Sequence, residues 1–135
     1  MIYITKKVRF SAAHRLYNPN FSDEMNNEIY DKCSNFYGHG HNYNLEVTVK
    51  GNPNPETGYL IDLKKMKKII FDNLIIKVDH KHLNHDVDFL NGIIPTVENL
   101  CMEFWKILCD KFENAELYKI KIYETEDSSA EYFGN

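Results

Sequence analysis

Proline and glycine are scarce, four and six in 135 residues, so the chain has material for neither a collagen-like repeat nor a low-complexity linker. Cysteine is scarcer still. Cys33, Cys101 and Cys109 form an odd set without a CxxC spacing, which excludes a disulfide framework and a thiolate zinc knuckle and implies a reducing, cytoplasmic setting. No stretch approaches the roughly 18 apolar residues that cross a bilayer. The opening MIYITKKVRF has no apolar core behind its basic residues, so a soluble, unprocessed protein with no membrane partner is expected. Positive charge is also in deficit. Sixteen Lys and Arg face 20 Asp and Glu, a net charge of -4, which argues against nucleic acid as a partner. What is present is a 43% apolar content, enough for one buried core, and one domain spanning residues 1–135 is expected.

Residues 2–14 alternate, with Ile2, Ile4, Val8, Phe10, Ala12 and His14 on one face and Thr5, Lys7 and Arg9 on the other, the pattern of a half-buried strand. Lys6, Lys7, Arg9 and Arg15 crowd this segment. A solvated strand face explains them, and a small anion is the other reading. Residues 18–37 are polar, with at most a helical turn around Asp23 to Tyr30, and excursions of that length are usually functional or disordered. A second alternating run places His39, His41, Tyr43, Leu45, Val47 and Val49 on one face before Gly51 and the Pro53-Asn54-Pro55 turn.

The period then becomes helical. Asp62 is placed to cap a helix carrying Leu63, Met66, Ile70 and Leu74, and Thr96 to cap another carrying Leu100, Phe104, Trp105, Ile107 and Leu108. Alternation returns with Tyr118, Ile120, Ile122 and Glu124, and a terminal strand near Ala130 to Phe133 pairs back across the Asp127-Ser128 turn. The expected order is ββααββ, an α+β fold with two helices on one face of a four-stranded antiparallel sheet. Open sheet edges favour an oligomer.

His39 and His41, two apart on a strand, send both imidazoles from one face, and Gly40 leaves the other face clear. His14 ends the first strand in the apolar register. Were the two strands antiparallel neighbours, three imidazoles would converge as on a catalytic zinc with an open position. Hydrogen-bonded histidines near a strand end explain the pattern too. Cys33 in the polar excursion is either a base or nucleophile, or a loop cysteine without consequence. Cys101 and Cys109, on the second helix, read as small core residues. Asp79 beside His80 makes a polar relay, with His82 and His85 as solvated loop residues. Glu124, on the apolar side at a strand end, needs solvent or a donor pair, and a carboxylate matches two adjacent N–H donors in a bidentate manner. Glu98 is accounted for by the helix dipole.

Six strings in order, FSAAHRLY, CSNFYGHGHNY, GYLIDLKKMKK, VDHKHLN, TVEN and LYKIKIYET, cover nearly the whole chain, and together they resemble the 6-pyruvoyl-tetrahydropterin synthases. The resemblance implies a tunnelling fold whose ββααββ unit trimerises into a barrel, with two trimers stacked as a homohexamer and active sites between subunits. It also implies zinc held by His14, His39 and His41, Cys33 as general base, Asp79 and His80 as its catalytic partners, and Glu124 as pterin anchor. Thr96 falls where the family has a pterin-contacting threonine, whereas Val97 departs from a second threonine there. The implied substrate is 7,8-dihydroneopterin triphosphate, which loses triphosphate.

Two sister activities share the scaffold, 6-carboxy-tetrahydropterin synthesis and formation of a hydroxymethyl pterin. The spacing from Cys33 to His39, with residues 34–38 between, is similar to the pyruvoyl enzymes, and Phe36 stands where the hydroxymethyl branch carries glutamate. A non-catalytic zinc or pterin binder on the same scaffold is the alternative of another class.

Overall fold

A computed structural model describes residues 1–135. β1 (Ile2–His14) and β2 (His39–Gly51) pair antiparallel along their full length, from Ile2 opposite Gly51 to His14 opposite His39. β4 (Glu116–Thr125) pairs antiparallel with β2 through a bulge at Thr48/Val49, and β5 (Ser128–Tyr132) folds back on β4. The alternation holds along most of the strands, with Phe10, Ala12, Tyr43, Leu45, Val47, Val49, Ile120 and Ile122 buried on the inner face. Ile2, however, is exposed, and the bulge puts Leu117 rather than Tyr118 inside, leaving Tyr118 against Tyr3.

The sheet departs from the expected four antiparallel strands. A fifth, β3 (Lys81–His82), lies parallel to β1 at Ala12–Ala13, giving a mixed sheet ordered β3-β1-β2-β4-β5. Two local hydrogen bonds explain it. The Ser11 N–H donates to Asp79 Oδ1 at 2.9 Å and the His80 N–H to the Ser11 carbonyl at 2.6 Å, drawing the chain onto the β1 edge before Lys81.

The helical layer is richer than two plain helices. α1 (Asp23–Tyr30) forms inside the polar excursion, which is anchored by buried Asn26. The Asn26 side chain accepts from the Asn18 N–H at 2.8 Å and donates to the carbonyls of Asn18 and Ser22 at 3.0 and 3.1 Å. α2 (Leu63–Ile70) begins under the Asp62 cap, runs into a π turn at Phe71–Ile75 and ends as α3 (Ile76–Val78). The wider turn admits an extra residue, so consecutive Leu74 and Ile75 both reach the core with Val78. α4 (Val97–Leu108) starts under Thr96, whose Oγ accepts from the Asn99 N–H at 3.2 Å.

Two expected helix positions also lie outside the core. Leu63 is 50% exposed because a first-turn side chain leans toward the helix N-terminus, and the buried stripe starts at Met66. Cys109 is exposed, while Cys101 is buried with its thiol pushed by desolvation up to about 12. Eight residues at roughly 100° each bring Cys109 about 80° past Cys101.

Helix residues Met66, Ile70, Leu74, Leu100, Phe104 and Leu108 close over the inner strand face in one core with Leu45 and Ile122. Leu45→Ala is expected to cost about 2–5 kcal/mol, because fully buried leucine leaves a cavity the neighbours fill only in part. Urea unfolding should show a lower midpoint at unchanged slope.

Candidate metal centre and substrate cleft

The β1–β2 register alone puts His14 opposite His39, and His41 follows two residues along on the same face. Gly38, at φ 74°, permits the chain to enter β2 here, since a side-chain carbon at that position would collide with the His14 carbonyl. One nitrogen from each of His14, His39 and His41 falls within 4.8 Å of the others.

His14 is fully buried, and its Nδ1 lies 2.8 Å from the Pro95 carbonyl oxygen. A carbonyl only accepts, so Nδ1 carries the proton and Nε2 presents a lone pair. That Nε2 is 3.2 Å from His39 Nε2. Two imidazole nitrogens on a tetrahedral zinc, with Zn–N about 2.0–2.1 Å, stand roughly 3.3 Å apart. His41 Nε2 is buried without a hydrogen-bond partner; the nearest carboxylate oxygen, Glu124 Oε1, is 3.7 Å away, too far for one. An orphaned buried nitrogen facing two other imidazoles fits a group that could hold a metal ion. Three neutral nitrogens also match the ligand set of a catalytic zinc with one open position.

At His14 and His41 burial favours that neutral state. Burial holds His14 below its ordinary 6.5, opposed by the Pro95 bond and by Glu124 and reinforced by His39 and His41. Burial lowers His41 as well, with Glu124 opposing and His39 assisting. Between these lowered values and 6.5 the unfolded chain binds more protons than the native one, so stability rises with pH across that window. Metal-free protein is therefore expected to melt at falling temperature as pH drops through 6.5, measured in chelator across about pH 8 to 5.5. Zinc affinity should weaken in the same direction, since each ligand must be unprotonated.

Next to the imidazoles lies a cleft of about 810 Å³, lined by Arg9, Ser11, His41, Asp79 and Glu124 among others. Glu124 follows buried Ile120 and Ile122 on the inner face of β4 and is 29% exposed in its side chain. Its charge reaches Tyr43, whose hydroxyl is raised mainly by burial and then by Glu124. Asp79 Oδ2 lies 3.0 Å from Nδ1 of the 83% exposed His80 imidazole, close enough to form an ion pair when the ring is protonated. His80 achieves this at φ 59°, in the left-handed region. It lines an adjoining cleft with His41 and His82.

The expected site is thus only partly assembled within one chain. His14, His39 and His41 converge, and Asp79 and Glu124 share the cleft with His41. Cys33 sits half-buried on the 3-10 turn Asp31–Ser34 and lines neither cleft. Thr96 is occupied as an N-cap, which leaves its hydroxyl proton free to donate. His82 and His85 stack on each other with ring centroids 4.4 Å apart and join no ligand group. Pro95, whose carbonyl fixes the His14 tautomer, was not singled out from sequence. Nothing in its local pattern signals a contact to position 14.

The family model described as 6-pyruvoyl tetrahydropterin synthase matches residues 3–135. The chain belongs to that family. The family is one of pterin-synthesising enzymes. Among its relatives, a 6-pyruvoyl tetrahydrobiopterin synthase of Poecilia reticulata is 42% identical over 132 residues, covering 98% of this chain and 90% of that protein. The solved 6-pyruvoyl tetrahydropterin synthase of Caenorhabditis elegans superposes with a TM-score of 0.93 at 36% identity, covering 99% of this chain and 96% of that one. A 6-carboxy-5,6,7,8-tetrahydropterin synthase of Rickettsia typhi is 28% identical over 151 aligned residues, covering 97% of this chain and 99% of that protein. The structure brings His14, His39 and His41 together on paired strands, and no helix is long and apolar enough to cross a membrane.

Proposed function

We propose that residues 1–135 form one pterin-synthase domain that converts 7,8-dihydroneopterin triphosphate to 6-pyruvoyl-tetrahydropterin with elimination of triphosphate, a carbon-oxygen lyase of the cytoplasm. The observation that carries the reading is the convergence of His14, His39 and the partnerless His41 Nε2 beside a cleft that also holds Glu124 and Asp79.

His14, His39 and His41 would hold zinc, which supplies Lewis acidity toward the hydroxyl-bearing side chain of the substrate when bound. Glu124 accepts from the ring N–H and amino group of the pterin, a bidentate match that orients the side chain toward the imidazoles. Thr96 supplies a further hydroxyl contact. Cys33 takes the carbon-bound proton, and His80, aligned by Asp79, passes protons during loss of triphosphate and the tautomerisation that follows. Arg9 and its basic neighbours on β1 receive the triphosphate. The chain works as a homohexamer of two stacked trimers with active sites between subunits; the short edge strands β3 and β5 leave both sheet edges available for such pairing.

Incubating the zinc-loaded protein with dihydroneopterin triphosphate and resolving the products by mass tests the reading. Pyruvoyl product with released triphosphate is expected. A carboxy or hydroxymethyl pterin would reassign the reaction, and substrate binding without turnover would make the chain a pterin binder.

A further inference from the structure

The turn that carries Cys33 and the loop that follows Asp79 and His80 are both fastened at Arg15, immediately after the metal-facing His14. The Arg15 N–H donates to Asn84 Oδ1 at 2.8 Å, and the Asn84 amide returns a bond to the Arg15 carbonyl at 2.8 Å, so this side chain pairs with the peptide as a neighbouring strand would. On the other side, Arg15 Nε donates to the Ser34 carbonyl at 2.8 Å, and the next residue, Leu16, donates its N–H to the Cys33 carbonyl at 2.8 Å. The carbonyls of both Cys33 and Ser34 are therefore taken by consecutive residues of the segment leaving β1.

The guanidinium itself is held in place. It lies 3.8 Å from the Tyr17 ring centroid and 5.4 Å from that of Phe36, which fixes the plane from which Nε points at Ser34. Phe36 is 71% exposed, so its ring contributes little to the core and packs instead against this cation and the Tyr37 ring. Leu83 N–H to the Ala13 carbonyl at 2.8 Å and His80 N–H to Ser11 extend the fastening along the Asn84 side. Few other bonds hold the Cys33 turn: Ser34 Oγ donates to the Asp31 carbonyl and Asn35 N–H to the Lys32 carbonyl within the turn, and Asp31 N–H donates to the Asn27 carbonyl of the preceding helix.

From this arrangement we infer that Arg15 and Asn84 are positioning residues, a clamp that sets the Cys33 turn, and the Asn84 end of the segment that follows Asp79 and His80, at fixed places relative to the histidine cluster. The inference rests on the proposed role of Cys33 for its effect on turnover, though not for its effect on the thiol. Arg15 touches no reacting atom in this scheme. Its work is to remove the freedom of a turn whose own bonds are local, so that the thiol is presented in one orientation.

The test is made in a Cys109→Ser background of the zinc-loaded protein, which leaves Cys33 as the one thiol that is not buried. Arg15→Met, Arg15→Lys and Asn84→Ala are compared by the rate of Cys33 alkylation with iodoacetamide, zinc content, kcat and KM. Losing one or two net hydrogen bonds from a local opening equilibrium should speed alkylation roughly three- to tenfold in Arg15→Met and Asn84→Ala. Zinc should stay at its original level, and kcat should fall by about tenfold or more with KM within about twofold, as for lost orientation rather than lost binding. Arg15→Lys keeps the charge without the Nε donor and should behave as Arg15→Met does.

Unchanged alkylation in folded, zinc-replete Arg15→Met and Asn84→Ala would overturn the clamp. If Arg15→Met does not fold, Arg15→Lys and Asn84→Ala decide it by the same rates. Absence of pterin turnover in the parent protein would instead remove the proposed function, and the alkylation comparison would still stand on its own.

Discussion

Replacing His41 with alanine is expected to take bound zinc from one ion per chain to nearly none and to lower pterin turnover on the order of 10³-fold. The magnitude follows from a metal that supplies several kcal/mol of transition-state stabilisation, at about 1.4 kcal/mol for each factor of ten. The metal-free stability should move the opposite way from what a ligand deletion suggests. His41 Nε2 is buried without a partner, a state that costs about 1–3 kcal/mol, so the alanine variant should melt no lower than the chelated parent. His14→Ala is the contrasting case. It leaves the Pro95 carbonyl unpaired and opens a cavity at a fully buried position, so it should lose both zinc and stability. Zinc content by atomic absorption beside thermal melting in chelator separates the pair. Full zinc in the His41→Ala protein would mean that the three imidazoles do not share an ion.

Cys33→Ala should reduce kcat by about 10²–10⁴, the range for removing a positioned proton acceptor. Zinc content and substrate affinity should stay near parental values, because Cys33 is outside the ligand cluster and outside the cleft that holds Glu124. Its half-buried place on a short surface turn makes the fold tolerant of the change. Solvent-exchange labelling adds an independent readout: loss of proton abstraction should suppress incorporation of solvent deuterium at the substrate carbon. Unchanged turnover would remove Cys33 from the reaction while leaving the histidine site intact.

How much of this could be read in advance varied with the range of the interaction. Period-two alternation gave β1, β2 and β4, because each strand has one face against the helices, and the same alternation fixed His39 and His41 on one side. The caps at Asp62 and Thr96 were also legible, as they depend only on residues two or three positions on. The meeting of His14 with His39 was conditional on strand register, which sequence leaves open and the full-length β1–β2 ladder supplies. β3 escaped notice because two residues carry no period, and they are placed by hydrogen bonds from Ser11, nearly seventy positions away. The π turn was hidden in a helical pattern that tolerates one extra residue. Asn26 and Asn84 were invisible for a related reason: an asparagine reads as loop chemistry whether it faces water or, as here, grips a peptide across the fold.

The backbone at His80 has a consequence for how this protein can drift. A left-handed conformation penalises most side chains by roughly 1–2 kcal/mol, and glycine or asparagine would take it more readily. The imidazole there is 83% exposed and has little packing to compensate. Durability and reactivity therefore pull against each other at a single position: a library ranked by heat resistance alone should accumulate His80→Gly or His80→Asn, while one ranked by product formation should retain the histidine.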